Sequence, residues 1–288
     1  MAGISVRAGA FQMRVMPEAG GSLAALTWQG HELLRPQAAS GVLGSSCFPL
    51  VPFSNRVAGS RFRWAGRDVR LPPNHPEHPH EPVLHGLGWL LPWHVSRQTE
   101  AAVTLALEVP AGAWPWAFGA ELDLALTDTD ARFTLTLVNR GDTPMPAGLG
   151  FHPFFPRTPA TLFHGLHKGE WQTDAACLPT RLVESAEVQD WWQGRPVASR
   201  SVDTVYTGRD GPLTIRWPER GIGLAIVPDD ALAFTTVYVP PDQPFFCAEP
   251  VSHITDGFNR PAAGSGVREL APGERWAVSM ALAPFTMR

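Results

Sequence analysis

The stretch AELDLALTDTDARFTLTLVN, residues Ala120–Asn139, decides the fold class. Leu122, Leu124 and Leu126 alternate with Glu121, Asp123 and Ala125, and Phe133, Leu135 and Leu137 alternate with Thr134 and Thr136. A period of two puts one set of side chains on a buried face and the other toward solvent, which is the pattern of a half-buried strand rather than a helix. The polar DTDA segment, Asp128 to Ala131, supplies the turn that folds the second run back on the first.

Outward from this hairpin, similar short runs recur at Ala102 to Val109, Leu213 to Trp217, Ile222 to Val227, Thr235 to Val239 and Trp276 to Leu282. Between them lie 29 prolines and 27 glycines in 288 residues, too many breakers for long uninterrupted helices. Many short strands with turn signals predict an all-β fold, a sandwich or barrel. No composition shift, linker or fixed-period repeat divides the chain, so residues 1–288 are expected to form a single domain. A net charge of −4 gives no basis for nucleic acid or anionic lipid as a partner. Cys47, Cys177 and Cys247 are odd in number and lack CxxC spacing, which indicates neither a disulfide framework nor a cysteine zinc site. With neither a signal-like apolar run at the start nor a stretch of about 18 apolar residues later, the expected setting is cytoplasmic, away from membranes.

Four polar clusters could carry chemistry. Asn55-Arg56 sits in FPLVPFSNRVAGSRF among apolar residues, where an arginine either pairs with a carboxylate or offers its donors to a ligand oxygen. NHPEHPHEPVLHG holds His75, His78, His80 and His85, but prolines interrupt it and no regular metal-ligand spacing appears. The first three histidines are expected on a solvent-exposed loop. The aperiodic segment Pro72 to Val83 reads as a loop beside a cleft. His85, in LHGLGW, suits a cleft wall or a hydrogen-bonded core position. His152, in AGLGFHPFFP, is walled by aromatics and held away from helical backbone by Pro153. Glu249, in FFCAEPVSH, follows an apolar run, where its charge needs a partner or a ligand to offset burial. Taken singly, each of these residues has a structural explanation as good as a functional one.

In order and spacing, the segments PFSNRVAGSRFRWAGRDVRLPPN, LHG, VNRGDTPMPAGLGFHPFF, SVDTVYTG and FFCAEPVSHITDGFN resemble the aldose 1-epimerases, the galactose mutarotase-like enzymes. The resemblance spans most of Pro52 to Asn259 and implies a large antiparallel β-sandwich (the galactose mutarotase-like supersandwich) that interconverts the anomers of a free aldose. By that resemblance His152 is the general acid and Glu249 the general base. Arg56, His85 and Asp203 bind substrate, with Asn55 beside them, and neither metal nor other cofactor takes part. Asp203 rests on a short D-x-x-Y string that a turn aspartate would also satisfy. A carboxylate beside His152 would favour its imidazolium form, and Arg56 would keep Glu249 ionised. The implied partner is a small sugar, with the chain a monomer or homodimer.

Three other readings remain at this stage. One is a catalytically silent sugar-binding module, and another is a cupin-like metal enzyme built on His75 to His85. The third is a hexose-phosphate mutarotase, for which Arg61, Arg63, Arg67 and Arg70 could hold phosphate, although their alternation equally suits the solvent face of a strand. Trp64, Trp89, Trp114 and Trp116 could serve as sugar platforms or fill core space.

Overall fold

A computed structural model describes residues 3–184, 191, 194–260 and 264–287. The hairpin read from the sequence forms from Phe118–Leu126 and Ala131–Asn139. Its register sets Leu122 opposite Leu135 and Leu124 opposite Phe133 on the buried face, with Asp123 opposite Thr134 on the other. The outward row is tied across strands, since Thr104 Oγ1 donates to Asp123 Oδ1 at 2.6 Å. The flanking runs also become strands, Ala102–Val109 with the bounds read from sequence and Arg275–Thr286 longer at both ends.

These elements belong to a nine-stranded antiparallel sheet, which faces an eleven-stranded one across the main hydrophobic core. Among the described residues, helix is confined to three-residue 3-10 turns such as Val42–Gly44 and Gly257–Asn259. The all-β sandwich expectation is therefore met. Phe133, Leu135, Leu224 and Leu282 from the smaller sheet and Phe151, Phe155, Phe246 and Val237 from the larger one fill the space between them. Each is at most 1% exposed, and truncating a phenylalanine there to alanine costs about 3–5 kcal/mol.

The larger sheet carries a second apolar cluster that includes Phe48, Leu50, Phe154, Val205, Phe234 and Cys247. Its members alternate along their strands with residues of the main core: Phe48 with Cys47, and Cys247 with Phe246 and Ala248. The cluster therefore lies on the face turned away from the sandwich interior. Strands Cys47–Leu50, Gly150–Pro156, Phe245–Val251, Phe234–Val239 and Val202–Thr207 run side by side there, and they carry the site.

The four downstream arginines lie on a separate ribbon, Arg61–Trp64 paired with Arg67–Arg70. All four are exposed, while Phe62 and Val69 on the opposite face enter the core, so their alternation marks a solvent face. Trp89, Trp114 and Trp116 are buried as core residues and Trp64 is half-buried against the core.

Candidate active site

Antiparallel register builds the site in rows across the large sheet. Gly150 pairs with Val251 and Phe154 with Cys247, which brings His152 opposite Glu249; His152 pairs in turn with Phe48, and Glu249 with Thr236. Directly opposed residues share a face, so Phe48, His152, Glu249 and Thr236 form one line. The next row runs from Phe154 through Cys247 and Tyr238 to Asp203. Asp203 thus lies on a strand, not in a turn.

A cavity of about 320 Å³ opens over these rows and is lined by Asn55, Arg56, His85, His152, Asp203 and Glu249, all six residues singled out from the sequence. Aromatic and apolar walls from Leu43, Phe48, Phe154, Tyr238 and Phe245 complete it. Its size, and a lining in which convergent polar groups meet aromatic walls, are those of a small polar-ligand site. A larger groove of about 960 Å³, lined by residues such as Arg7, Gln12 and Glu100 near the sheet edges, contains none of these six.

At the cavity floor His152 Nε2 stands 3.4 Å from Glu249 Oε1. The His152 ring packs against Phe48 and Phe154, with centroids 4.5 and 4.6 Å away and interplanar angles of 28°, and those two rings lie 6.0 Å from each other. These two aromatic neighbours restrict the imidazole, whose Nε2 meets the carboxylate. Glu249 is 2% exposed, and neither its Oε2 nor His152 Nδ1 has a hydrogen-bond partner within the protein. Buried polar atoms are seldom left so.

Loops place the remaining groups. Asn55 and His85 both have left-handed backbone, φ 60° and 58°. The two are locked together: Asn55 N–H donates to His85 Nδ1 at 3.0 Å, and His85 N–H donates to the Asn55 carbonyl at 3.0 Å. With Nδ1 accepting, the neutral ring carries its proton on Nε2 as a donor. Gly86 has φ 68°, and a Cβ there would fall 2.4 Å from the Val51 carbonyl oxygen, so the glycine is required for that close approach. Arg56 Nη1 pairs with Asp203 Oδ2 at 3.3 Å, both side chains being about one-fifth exposed.

A family model described as aldose 1-epimerase matches residues 4–283. The chain belongs to the aldose 1-epimerase family. Among curated proteins it is similar to YphB of Escherichia coli K12, named as an uncharacterized protein, with 34% identity over 259 residues that cover 87% of this chain and 88% of YphB. The solved structure of a candidate aldose 1-epimerase from the same organism superposes with a TM-score of 0.91 at 30% identity, covering 99% of each chain. A galactose mutarotase-like protein from Clostridium acetobutylicum shares the fold at 18% identity, with a TM-score of 0.88 and coverage of 99% and 95%.

In this epimerase-family chain, burial governs the electrostatics of the pair. It pushes the His152 imidazolium down to about 3, and it raises the Glu249 carboxyl well above its ordinary range, with Asp203 adding to the rise and Arg56 opposing it. Burial thus works against the sequence expectation of an imidazolium beside an ionised carboxylate. Arg56 is engaged by Asp203, and desolvation outweighs its attraction for Glu249. Burial and the neighbouring His152 likewise hold His85 neutral.

Two further expectations need correction or sharpening. Residues 72–83 form no strand and do border the cleft, but His75 is half-buried and lines it with Glu77, whereas His78 and His80 are exposed as expected. His75 Nδ1 accepts the backbone N–H groups of Glu77 and His78, so it helps shape the loop. The grouping of metal-capable atoms found among the described residues is His152, Cys247 and Glu249, not the histidine-rich loop.

Several supporting residues escaped the sequence reading. Asn74 clamps the His85 segment, its Nδ2 donating to the carbonyls of Leu84 and Gly86 and its Oδ1 accepting from Leu84 N–H. His253 Nε2 accepts from Ser54 N–H at 3.0 Å, Asp256 N–H donates to the Arg56 carbonyl, and Asp256 Oδ1 accepts from Ala58 N–H. The SHITDGFN string is therefore a scaffold for the Asn55-Arg56 turn. The polar residues clustered after Glu249 were the available signal for it.

Proposed function

We propose that this family member interconverts the α and β anomers of a free aldose by acid/base ring opening, with Glu249 taking the proton of the anomeric hydroxyl and His152 giving one to the ring oxygen. The observation that carries this is the 3.4 Å His152–Glu249 pair at the floor of a cavity lined by all six motif residues. As the C1–O5 bond breaks, the imidazolium becomes imidazole and the carboxylate becomes carboxylic acid. Rotation about C1–C2 and reclosure with the roles reversed give the other anomer.

Ring opening therefore ends with the uncharged pair that burial favours. Neutral imidazole plus carboxylic acid and imidazolium plus carboxylate hold the same number of protons, so one transfer across the 3.4 Å gap readies the pair for the closed sugar. Each positioned group contributes about 10²–10⁴-fold, or roughly 3–5 kcal/mol. The chemistry asks for nothing beyond an acid and a base.

Charge in the cleft favours a neutral sugar. Arg56 is the single Lys or Arg lining the cavity among the described residues, and Asp203 already holds it. A phosphate would also meet Glu77 on the wall, at a Coulomb cost that grows as the cleft excludes water. Polarimetry of freshly dissolved anomers tests the reading. Free aldoses should equilibrate faster with protein than in buffer, and hexose 6-phosphates should show little acceleration. Saturable sugar binding with no acceleration for any aldose would instead indicate a silent binding module.

A further inference from the structure

We propose that His152, Cys247 and Glu249 form a three-ligand site for Zn²⁺, and that occupancy of this site blocks the acid/base pair. Cys247 and Glu249 are alternate residues of one strand and so face the same side, and His152 stands opposite Glu249 on the neighbouring strand. One ligand atom from each of the three lies within 4.8 Å of the others. Nitrogen and oxygen ligands on a tetrahedral zinc sit at about 2.0–2.1 Å, which puts them about 3.3 Å apart. His152 Nε2 and Glu249 Oε1 stand at 3.4 Å. The pair is thus already spaced as zinc ligands would be, and the Cys247 Sγ lies within 4.8 Å of both.

Two further observations point to a ligand. The Glu249 carboxylate, 2% exposed, has an oxygen with no partner in the protein, and Cys247 is a fully buried free thiol. On binding, the thiol and carboxyl protons leave to solvent. Thiolate, carboxylate and neutral imidazole then balance the dication, so the occupied site carries no net charge, as a buried site requires. His152 and Glu249 line the cavity, which leaves the fourth position open to water or a sugar hydroxyl. The other two cysteines cannot substitute: Cys47 faces the sandwich interior, and Cys177 lies outside the three-residue group.

The blocking half of this inference rests on the proposed function, whereas metal binding does not, so the test reads binding first. Chelator-treated full-length protein is titrated with Zn²⁺ by calorimetry and with Co²⁺ by absorption. The expected result is one equivalent bound, with a thiolate-to-cobalt charge-transfer band that Zn²⁺ abolishes. Cys247→Ala should lose the band and bind Zn²⁺ more weakly by more than the roughly 10–100-fold that removal of an outer-shell partner costs. Cys247→Ser, closer in volume, is the second variant, and circular dichroism checks that both are folded. Absence of one-equivalent binding, or a band that persists in Cys247→Ala, would overturn the inference. Anomer exchange, measured on the same samples, should fall as Zn²⁺ is added and resist Zn²⁺ in Cys247→Ala. Binding with the thiolate band but unchanged exchange in an active preparation would refute the blocking half. Binding with no exchange in any preparation would sustain the metal site and count against the proposed function.

Discussion

Replacing Glu249 with glutamine should move activity and stability in opposite directions. Glutamine keeps the shape of the side chain but cannot take a proton, so anomer exchange should fall by about 10²–10⁴-fold. Stability follows from linkage. The Glu249 carboxyl is raised by burial in the folded chain, so its contribution is complete below about pH 4.5 and is lost as pH rises toward the folded-state value. Over that window the wild type loses up to about 1.4 kcal/mol per pH unit through this group, and Glu249→Gln does not. Any penalty from an unpartnered amide N–H, about 1–3 kcal/mol, is already present at pH 5 and sets an offset rather than a slope. Urea unfolding of both proteins at steps from pH 5 to 8, with chelator present, gives the difference directly. It should shift steadily toward the variant, while polarimetry shows the rate loss. A flat difference would mean that the buried carboxyl is ionised in the folded chain. An unchanged rate would remove Glu249 as the base.

Four other outcomes follow from the same geometry. Burial holds the folded-state values of His152 and His167 at about 3 and of His253 at about 4, so stability present above pH 6.5 is lost as pH falls toward those values. With His85 also held well below 6.5, the combined slope is up to roughly 5.4 kcal/mol per pH unit before the opposing Glu249 contribution, and His253→Gln should flatten it by about a quarter in acid unfolding curves. Gly86→Ala places a Cβ 2.4 Å from the Val51 carbonyl at φ 68°, and should lower unfolding free energy by about 1–3 kcal/mol and slow exchange by misplacing His85. Asn74→Ala removes three hydrogen bonds on the His85 segment and should raise KM more than it lowers kcat, as read from initial rates over a range of sugar concentrations. Asp203→Asn frees the Arg56 guanidinium and should improve acceptance of a hexose 6-phosphate relative to the free sugar, measured as the ratio of kcat/KM values.

The fold was legible wherever one face of a strand met water. Leu122, Leu124 and Leu126 announce their strand because Glu121 and Asp123 stand between them, and the pairing with Phe133 and Leu135 follows. The strands under the site gave weaker signals because both their faces are buried. Gly150–Pro156 and Phe245–Val251 read as apolar runs, since one side packs in the sandwich and the other under the cleft. The six site residues were found through the order of their motifs, and the cavity gathers all of them. Their protonation states were not legible, because the order of the acid and base motifs says nothing about desolvation. The clamps of Asn74 and His253 were hidden for a similar reason: each bonds backbone groups, 10 to 199 residues away, that carry no side-chain signature.

Exchange NMR on an aldose labelled with ¹³C at C1 and ¹⁸O at O1 tests the central claim most directly. The label reports both anomer exchange and which bond to C1 breaks. Proton transfer by His152 and Glu249 across the ring predicts exchange faster than in buffer, with ¹⁸O retained through each inversion because C1–O5 is the bond that opens. Exchange no faster than in buffer, or ¹⁸O lost to water at every inversion, would contradict it.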